Sequence, residues 1–317
     1  MTALAAGSRL KAGMIEGSDY DIYSCEEFQK TFEFVLRHIA TPERFHFETI
    51  LRIQTHEVFP DINVASLTLE NFCGKLKASH TGNITEELTT LSAHLIKMLD
   101  PQYGHFQTLD ANLGSKIKNE PIEIKVFNEK TLYIKIKNFE EAPRKYLELD
   151  RYLRKSYNPK KINKVIVDLR DNPGGNIDTL MQVIDLFLSE NHKVATIHFK
   201  DNLNQEYVTK YSLSIDKPLF ILMNHNTASA AEVFAGALKE YKNATLIGSK
   251  SFGKIESLTN LGLFQAPIQV NFEAIISFTV GYFSIGESES LSTGLSPDIT
   301  LENPSIPIEH IIEELNL

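Results

Sequence analysis

Tryptophan is absent from this sequence of 317 residues, and cysteine occurs only as Cys25 and Cys73. Their separation matches neither a metal-ligand spacing nor the dense pattern of a disulfide scaffold. We therefore expect two buried thiols, with one disulfide as the open alternative. No cluster of histidine and cysteine has the spacing of a zinc site, so we expect no metal and no cofactor.

Three further absences limit what the chain is expected to bind. No apolar run reaches the roughly 18 residues that a membrane span needs. Long basic runs are missing, and the formal net charge of −9 argues against a partner such as nucleic acid or an anionic membrane. The N-terminus lacks the apolar segment of a signal peptide. We interpret residues 1–20 as a flexible leader and leave the compartment and the oligomeric state open.

The remaining sequence divides into two regions with different hydrophobic patterns. Residues 21–115 show helical periodicity in segments such as "CEEFQKTFEFVLRHI" and "ITEELTTLSAHLIKMLD", which predicts a helical subdomain. Residues 116–317 open with a predicted hairpin around Asn128–Lys130, followed by a charged helix over about 140–156. Further on, the strands "KVIVDLR", "KVATIHF", "PLFILMN" and "NATLIGS" are interspersed with helices, and "PSIPIEHIIEELNL" closes the chain. This alternation predicts a mainly parallel α/β core.

Three loops that leave predicted strands carry the residues of chemical interest. The first, "DLRDNPGGN", places Gly174 and Gly175 before the amphipathic helix "NIDTLMQVIDLFLSE", where a glycine N–H can point into a site. The second contains Ser229 at the predicted start of a helix. Ser229 and Glu232 form a capping-box pattern, so one interpretation of Ser229 is that it only caps the helix. The functional interpretation is a nucleophile beside free backbone N–H groups that stabilise an oxyanion.

The third loop, "SKSFGKIES", contains Lys254. A single lysine is ordinarily a surface residue. A lysine kept away from water instead has a lowered pKa, and its neutral amine can take the proton of a serine hydroxyl. Such an amine is the base that a serine nucleophile needs when no histidine is near.

Four stretches occur in the order seen in the carboxyl-terminal processing, or tail-specific, proteases of serine peptidase family S41, which this chain therefore resembles. They are "VIVDLRDNPGGN", "NHNTASAAEVFAGALKE", "LIGSKSFGK" and "TGLSPDI". The resemblance implies an α/β core related to Clp peptidase and crotonase, a polypeptide substrate, and an S41 peptidase domain over 116–317. It also implies Ser229 as nucleophile, Lys254 as general base, and oxyanion donors at the N–H of Ala230 and of Gly175 or Gly174, with Gly175 favoured.

The sequence departs from the family pattern in ways that leave alternatives open. Leu258 stands where many members have a glutamine that assists the lysine, and the chain between the helical region and the core is too short for a PDZ domain. One branch of the family uses a Ser–His pair, for which His105 is the candidate base here, with Gln102 near the position that the histidine of that branch takes. The glutamate partner of that branch would be Glu287 or Glu289. A binding protein without catalysis and a non-peptide acyl hydrolase are the other interpretations.

Overall fold

The computed structural model describes most of the chain after the N-terminal segment. The described ranges are 24–38, 47–80, 84–100, 105–108, 121–139, 146–199, 204–210, 215–253, 262–271, 274–287 and 294–317. The predicted leader, residues 1–20, lies outside them. The chain divides into two compact units. The first contains the N-terminal helices, and the second contains the parallel sheet. The boundaries predicted from sequence at residues 20 and 115 stay predictions.

The helices within the described residues are α1 (Cys25–His38), α2 (Phe47–Val58), α3 (Phe72–Ser79), α4 (Thr85–Leu99), α5 (Leu147–Lys155), α6 (Ile177–Ile184), α7 (Ala230–Lys242) and α8 (Ile308–Glu314). The strands are β1 (His105–Thr108), β2 (Ile122–Phe127), β3 (Thr131–Ile136), β4 (Lys164–Asp168), β5 (Lys193–Phe199), β6 (Asn204–Val208), β7 (Leu219–Met223), β8 (Thr245–Gly248), β9 (Gly262–Asn271), β10 (Ala274–Ile285) and β11 (Ile299–Thr300). The predicted fold class, an α/β core with helices N-terminal to it, is confirmed.

An aromatic core holds the N-terminal helices together. Phe28 and Phe32 of α1 are fully buried, as is Phe72 at the start of α3. The rings of Phe28 and Phe72 stack with their centroids 4.8 Å apart. Each such side chain contributes about 1.5–3 kcal/mol through the apolar surface that it removes from water. The periodic apolar positions of the sequence therefore do form one buried face of this unit.

The expectation of two free thiols is wrong, because Cys25 and Cys73 form a disulfide. Their Cα atoms lie 5.6 Å apart, within the range that a disulfide spans. The stacking of Phe28 on Phe72 sets the first turn of α1 beside the first turn of α3. Spacing along the chain does not reveal this approach, which arises only when the two helices pack.

The second unit is built on a six-stranded sheet in the order β11-β8-β7-β4-β3-β2. All neighbouring pairs are parallel except β2 with β3. These two strands form the predicted hairpin, and its turn residues Asn128 and Glu129 both have positive φ, 49° and 57°. A two-residue turn with this geometry matches the twist of the strands that it joins.

Two element predictions need correction. The strand "KVATIHF" forms β5, but β5 pairs antiparallel with β6 instead of joining the parallel sheet, because an apolar pattern does not specify a partner strand. Helix α6 ends at Ile184, short of its predicted extent, and the chain continues in tight turns that bury Phe187 edge-on against Phe234 of α7, 5.4 Å between centroids. The predicted charged helix is present as α5, which begins at Leu147, and the predicted residues 140–145 lie outside the described ranges.

The parallel sheet brings the three loops of interest to one edge. Strands β4, β7 and β8 are direct neighbours and run in the same direction. The loops that follow their carboxyl ends begin at 169, 224 and 249, and they contain Gly174 and Gly175, Ser229, and Gly253 in turn. Because carboxyl ends of parallel strands share one edge, the three loops are adjacent, which is where ligand sites lie in open α/β sheets.

Candidate active site

Ser229 occupies a strained turn between β7 and α7. Its φ of 55° and ψ of −122° lie outside the regions that residues with a side chain ordinarily adopt. A backbone conformation of this kind costs about 1–3 kcal/mol and persists only where surrounding contacts impose it. In enzymes that use a serine nucleophile, a sharp strand-to-helix turn exposes the serine hydroxyl at the top of the sheet.

Helix α7 supplies the platform behind this turn. The residues from Ala230 to Leu238 are buried on every side, so the helix is a core element and its start is fixed in position. The first N–H groups of a helix have no acceptor within the helix itself. The N–H of Ala230, the residue after Ser229, has no acceptor among the described residues, and it is therefore available to an oxyanion.

The two glycines of the first loop differ in their hydrogen bonding. The N–H of Gly174 donates to the side-chain oxygen of Asn172 at 2.9 Å. Gly175 forms a parallel bridge with Phe139, in which Phe139 donates to the Gly174 carbonyl at 2.7 Å and accepts from the Asn176 N–H at 3.0 Å. The N–H and C=O of Gly175 itself face away from Phe139, and that N–H has no acceptor in the described part of the chain. This geometry favours Gly175 over Gly174 as a donor.

Gly174 is also the point at which the glycine loop touches the serine turn. A Cβ atom at Gly174 would lie 2.8 Å from the Ser229 Cβ, 2.8 Å from the Ala230 nitrogen and 2.7 Å from the Ala228 oxygen. These distances are below normal contact, and the φ of Gly174 is +97°. Only glycine fits both the backbone angle and the gap. The two loops are consequently in direct van der Waals contact.

Glu232 links the serine turn to the third loop. Its side chain is wholly buried, and its Oε2 accepts the N–H of Ser229 at 2.9 Å. Its Oε1 accepts the Ser251 hydroxyl at 2.5 Å and the Gly253 N–H at 2.9 Å. Sequence reasoning identified Glu232 as a helix cap, which it is, but missed its bonds to the third loop. No sequence signal indicates them, because 19 and 21 residues separate the partners.

A second set of hydrogen bonds joins the first two loops. The Asp171 Oδ1 accepts from the side-chain amides of Asn224 and Asn226, each at 2.9 Å. These bonds, with Asn226 contributing most, hold the pKa of Asp171 below its usual value. The Thr227 hydroxyl adds a bond of 2.9 Å to the Leu169 carbonyl. The glycine loop and the serine turn are therefore held in fixed register.

A buried ion pair fixes the base of the glycine loop. The Arg170 guanidinium binds both carboxylate oxygens of Asp168, at 2.9 and 2.6 Å. Its remaining nitrogen donates to the carbonyls of Pro304 and Ile306, just before α8. The Tyr133 hydroxyl donates to Asp168 at 2.8 Å, and burial together with the Asp168 charge raises the pKa of Tyr133 well above its usual value.

The remaining residues singled out in the sequence have different outcomes. Lys254 and Leu258 lie outside the described residues, as do Gln102 and Glu289. His105 is the first residue of β1, whose pairing with the start of β10 belongs to the first unit, whereas Ser229 belongs to the second. Glu287 is exposed and pairs with Lys193 at 2.6 Å. Within the described ranges, no three His, Cys, Asp or Glu side chains gather as metal ligands, and no helix is long and apolar enough to cross a bilayer.

The parallel sheet, the strained serine and two N–H groups without acceptors among the described residues together define an α/β protein with a candidate site at the carboxyl edge of the sheet. Comparison with known families makes the class specific. The profile described as Peptidase family S41 matches residues 130–301, which is more than half of the chain and includes the described parts of all three loops. The chain belongs to this peptidase family.

Individual relatives agree with this assignment. A carboxy-terminal-processing protease of Bartonella bacilliformis is 29% identical over 202 residues, which cover 59% of this chain and 45% of that protein. A carboxyl-terminal-processing protease of Synechocystis is 33% identical over 147 residues, which cover 46% of this chain and 33% of that protein. The chain thus spans less than half the length of either relative. Among solved structures, a lipoprotein from Streptococcus agalactiae shares the fold, with a TM-score of 0.63 at 16% identity, over 92% of this chain and 96% of that one.

Proposed function

We propose that this chain is a serine endopeptidase of the tail-specific type, with Ser229 as the nucleophile and Lys254 as the general base. The observation that carries the proposal is the strained backbone of Ser229 at the start of α7, beside two N–H groups that are free of acceptors among the described residues. Strain of this kind is typical of functional sites. Membership of family S41 and the names of the relatives supply the substrate class, a polypeptide.

The contacts of Glu232 support the pairing of serine and lysine. Gly253, whose N–H is bound by Glu232, immediately precedes Lys254 in the chain. The same carboxylate binds the N–H of Ser229. The residue immediately before Lys254 is thus bound by a carboxylate that also binds the N–H of Ser229. This supports Lys254 over His105 as the base.

The proposed reaction follows the general scheme of acyl-enzyme catalysis. The neutral Lys254 amine takes the hydroxyl proton of Ser229 as its oxygen attacks the carbonyl carbon of the scissile peptide bond. The resulting oxyanion accepts hydrogen bonds from the N–H groups of Ala230 and Gly175. The C–N bond then breaks, the leaving amine receives the proton from Lys254, and water hydrolyses the acyl-enzyme by the reverse sequence of proton transfers.

Two substitutions test the proposal. We expect Ser229→Ala and Lys254→Ala to abolish cleavage of fluorescein-labelled casein, and Ser229→Ala to abolish covalent labelling by a fluorophosphonate. The exposed residues Ser305 and Lys160 supply matched controls, Ser305→Ala and Lys160→Ala, which should cleave at the wild-type rate. Full activity in either test variant would remove that residue from the mechanism. Loss of activity in His105→Ala with retention in Lys254→Ala would instead favour the Ser–His pair.

Two comparisons separate the remaining alternatives. An acyl hydrolase with non-peptide substrates would label with fluorophosphonate and hydrolyse esters but leave casein intact. A binding protein would fail to label at all, and it would retain its ligand affinity in Ser229→Ala.

A further inference from the structure

Asn172 lies between the two glycines and the end of β4, and the reaction scheme above gives it no role. Its side chain is completely buried, which is unusual for asparagine. The side-chain Nδ2 donates to the Ile136 carbonyl at the end of β3, at 2.9 Å. The side-chain Oδ1 accepts the Gly174 N–H at 2.9 Å. The side-chain nitrogen and oxygen thus each form a hydrogen bond, as buried polar groups in native proteins generally do.

The two bonds need an amide of this length. Asparagine ends its short side chain in an NH₂ group that donates and an oxygen that accepts, whereas aspartate would set a second oxygen against the Ile136 carbonyl and alanine would bind neither partner. By holding the N–H of Gly174, Asn172 turns that donor away from the site. The next N–H along the chain, that of Gly175, has no acceptor among the described residues and faces away from Phe139.

The main chain of Asn172 binds the other side of the site. Its carbonyl oxygen accepts the N–H of Ala228, the residue before Ser229, at 3.0 Å. One residue therefore contacts both the loop that carries the Gly175 donor and the turn that carries the nucleophile. A shift of Asn172 changes the separation of these two groups, and a displacement of about 1 Å in a catalytic arrangement lowers a rate by about 10²-fold.

We infer that Asn172 is the positioning residue of the oxyanion site: its side-chain amide fixes the glycine loop so that the Gly175 N–H, together with the Ala230 N–H, faces the Ser229 hydroxyl. This inference rests on the proposed function, because it assigns Ser229 as the nucleophile. Asn172 touches no reacting atom. Its effect is expected on the chemical step and not on the affinity for substrate.

The test compares Asn172→Ala with Asn176→Ala in fluorophosphonate labelling. In this reaction the Ser229 oxygen forms a bond to phosphorus as the phosphorus–fluorine bond breaks, fluoride leaves, and the hydroxyl proton passes to the general base. Asn176 lies in the same loop, and its Oδ1 accepts the N–H of Asp178 at 2.7 Å and caps α6. Its side chain has no bond to either glycine, so it controls for a general loss of stability.

We expect Asn172→Ala to lower the maximal labelling rate by about 10²-fold, the size of effect that follows the loss of one oxyanion donor. The half-saturating probe concentration should stay within about threefold of wild type, because the substitution does not touch the probe. Asn176→Ala should leave both parameters unchanged. An unchanged maximal rate in Asn172→Ala, or a loss confined to probe affinity, would overturn the inference. Absence of labelling in the wild-type protein would instead contradict the proposed function.

A measurement on the unmodified protein covers the case in which Asn172→Ala fails to fold. Amide hydrogen exchange should show slow exchange at Gly174, whose N–H is bonded to Asn172 in a buried position, and fast exchange at Gly175. Equal exchange rates at the two glycines would contradict the assigned hydrogen bond, and with it the positioning role.

Discussion

Glu232→Gln is the substitution that most directly tests how the site is held together. The wild-type carboxylate uses one oxygen for the Ser229 N–H and the other for the Ser251 hydroxyl and the Gly253 N–H. Glutamine has nearly the same shape, but one of its two terminal groups is a donor. In either orientation of the amide, its single oxygen can accept hydrogen bonds from only one of the two loops. The other loop then faces an NH₂ group where it needs an acceptor.

The size of the effect follows from the burial of these groups. A buried donor left without an acceptor costs about 1–3 kcal/mol, so the free energy of unfolding should fall by about 1–3 kcal/mol if one donor is affected and by about 2–6 kcal/mol if two are. The third loop carries Lys254, and its misplacement relative to Ser229 should lower the maximal fluorophosphonate labelling rate by about 10²-fold. Urea unfolding and labelling kinetics measure the two quantities separately.

Glu240→Gln provides the matched control on the same helix. Glu240 also accepts a backbone N–H, that of Glu287 at 2.9 Å, but at an exposed position where water replaces a lost bond. We expect this variant to differ from wild type by less than about 0.5 kcal/mol in stability and to label normally. If Glu232→Gln labelled at the wild-type rate, the buried carboxylate would not be what holds the lysine loop beside the nucleophile, and the reasoning would fail.

Three other predictions concern Gly174, the Cys25–Cys73 disulfide and Asp171. Gly174→Ala should abolish labelling and lower stability, as measured by urea unfolding, because its Cβ would lie 2.7 Å from the Ala228 oxygen; a fully active variant would show that the two loops can separate freely. Reduction of the Cys25–Cys73 disulfide should destabilise the helical unit by about 4 kcal/mol, from the chain entropy of a loop with a sequence separation of 48. Thermal unfolding with and without dithiothreitol measures this, and an unchanged melting temperature would contradict it. The pKa of Asp171 is lowered in the folded state, so its stabilising contribution is present above its unfolded pKa and is lost as the pH falls through the folded value. The stability difference between wild type and Asp171→Asn should therefore shrink on acidification, and a constant difference would refute the assignment.

Many of the helices and strands could be predicted because patterns over a few neighbouring residues specify them. The apolar strand before Ser229, the helical periodicity after it and the turn residues Asn128 and Glu129 each act over a few positions, so the corresponding elements were predicted correctly. The partner of β5 and the end of α6 depend on contacts with distant segments, such as Phe187 against Phe234. These were predicted wrongly, because periodicity records which face of a segment is apolar but not what covers it.

The residue types available for the site can be read from the sequence: a serine at a helix start, a pair of glycines after a strand, and a lysine in a third loop. The way in which the described residues of these loops are held together is visible only in the folded chain. The parallel order of β4, β7 and β8 places the three loops at one edge, and buried Glu232 and Asn172 then fix their register. A hydrogen bond between buried groups depends on distance and direction in space, and residues many positions apart in the chain acquire these only when the sheet has formed.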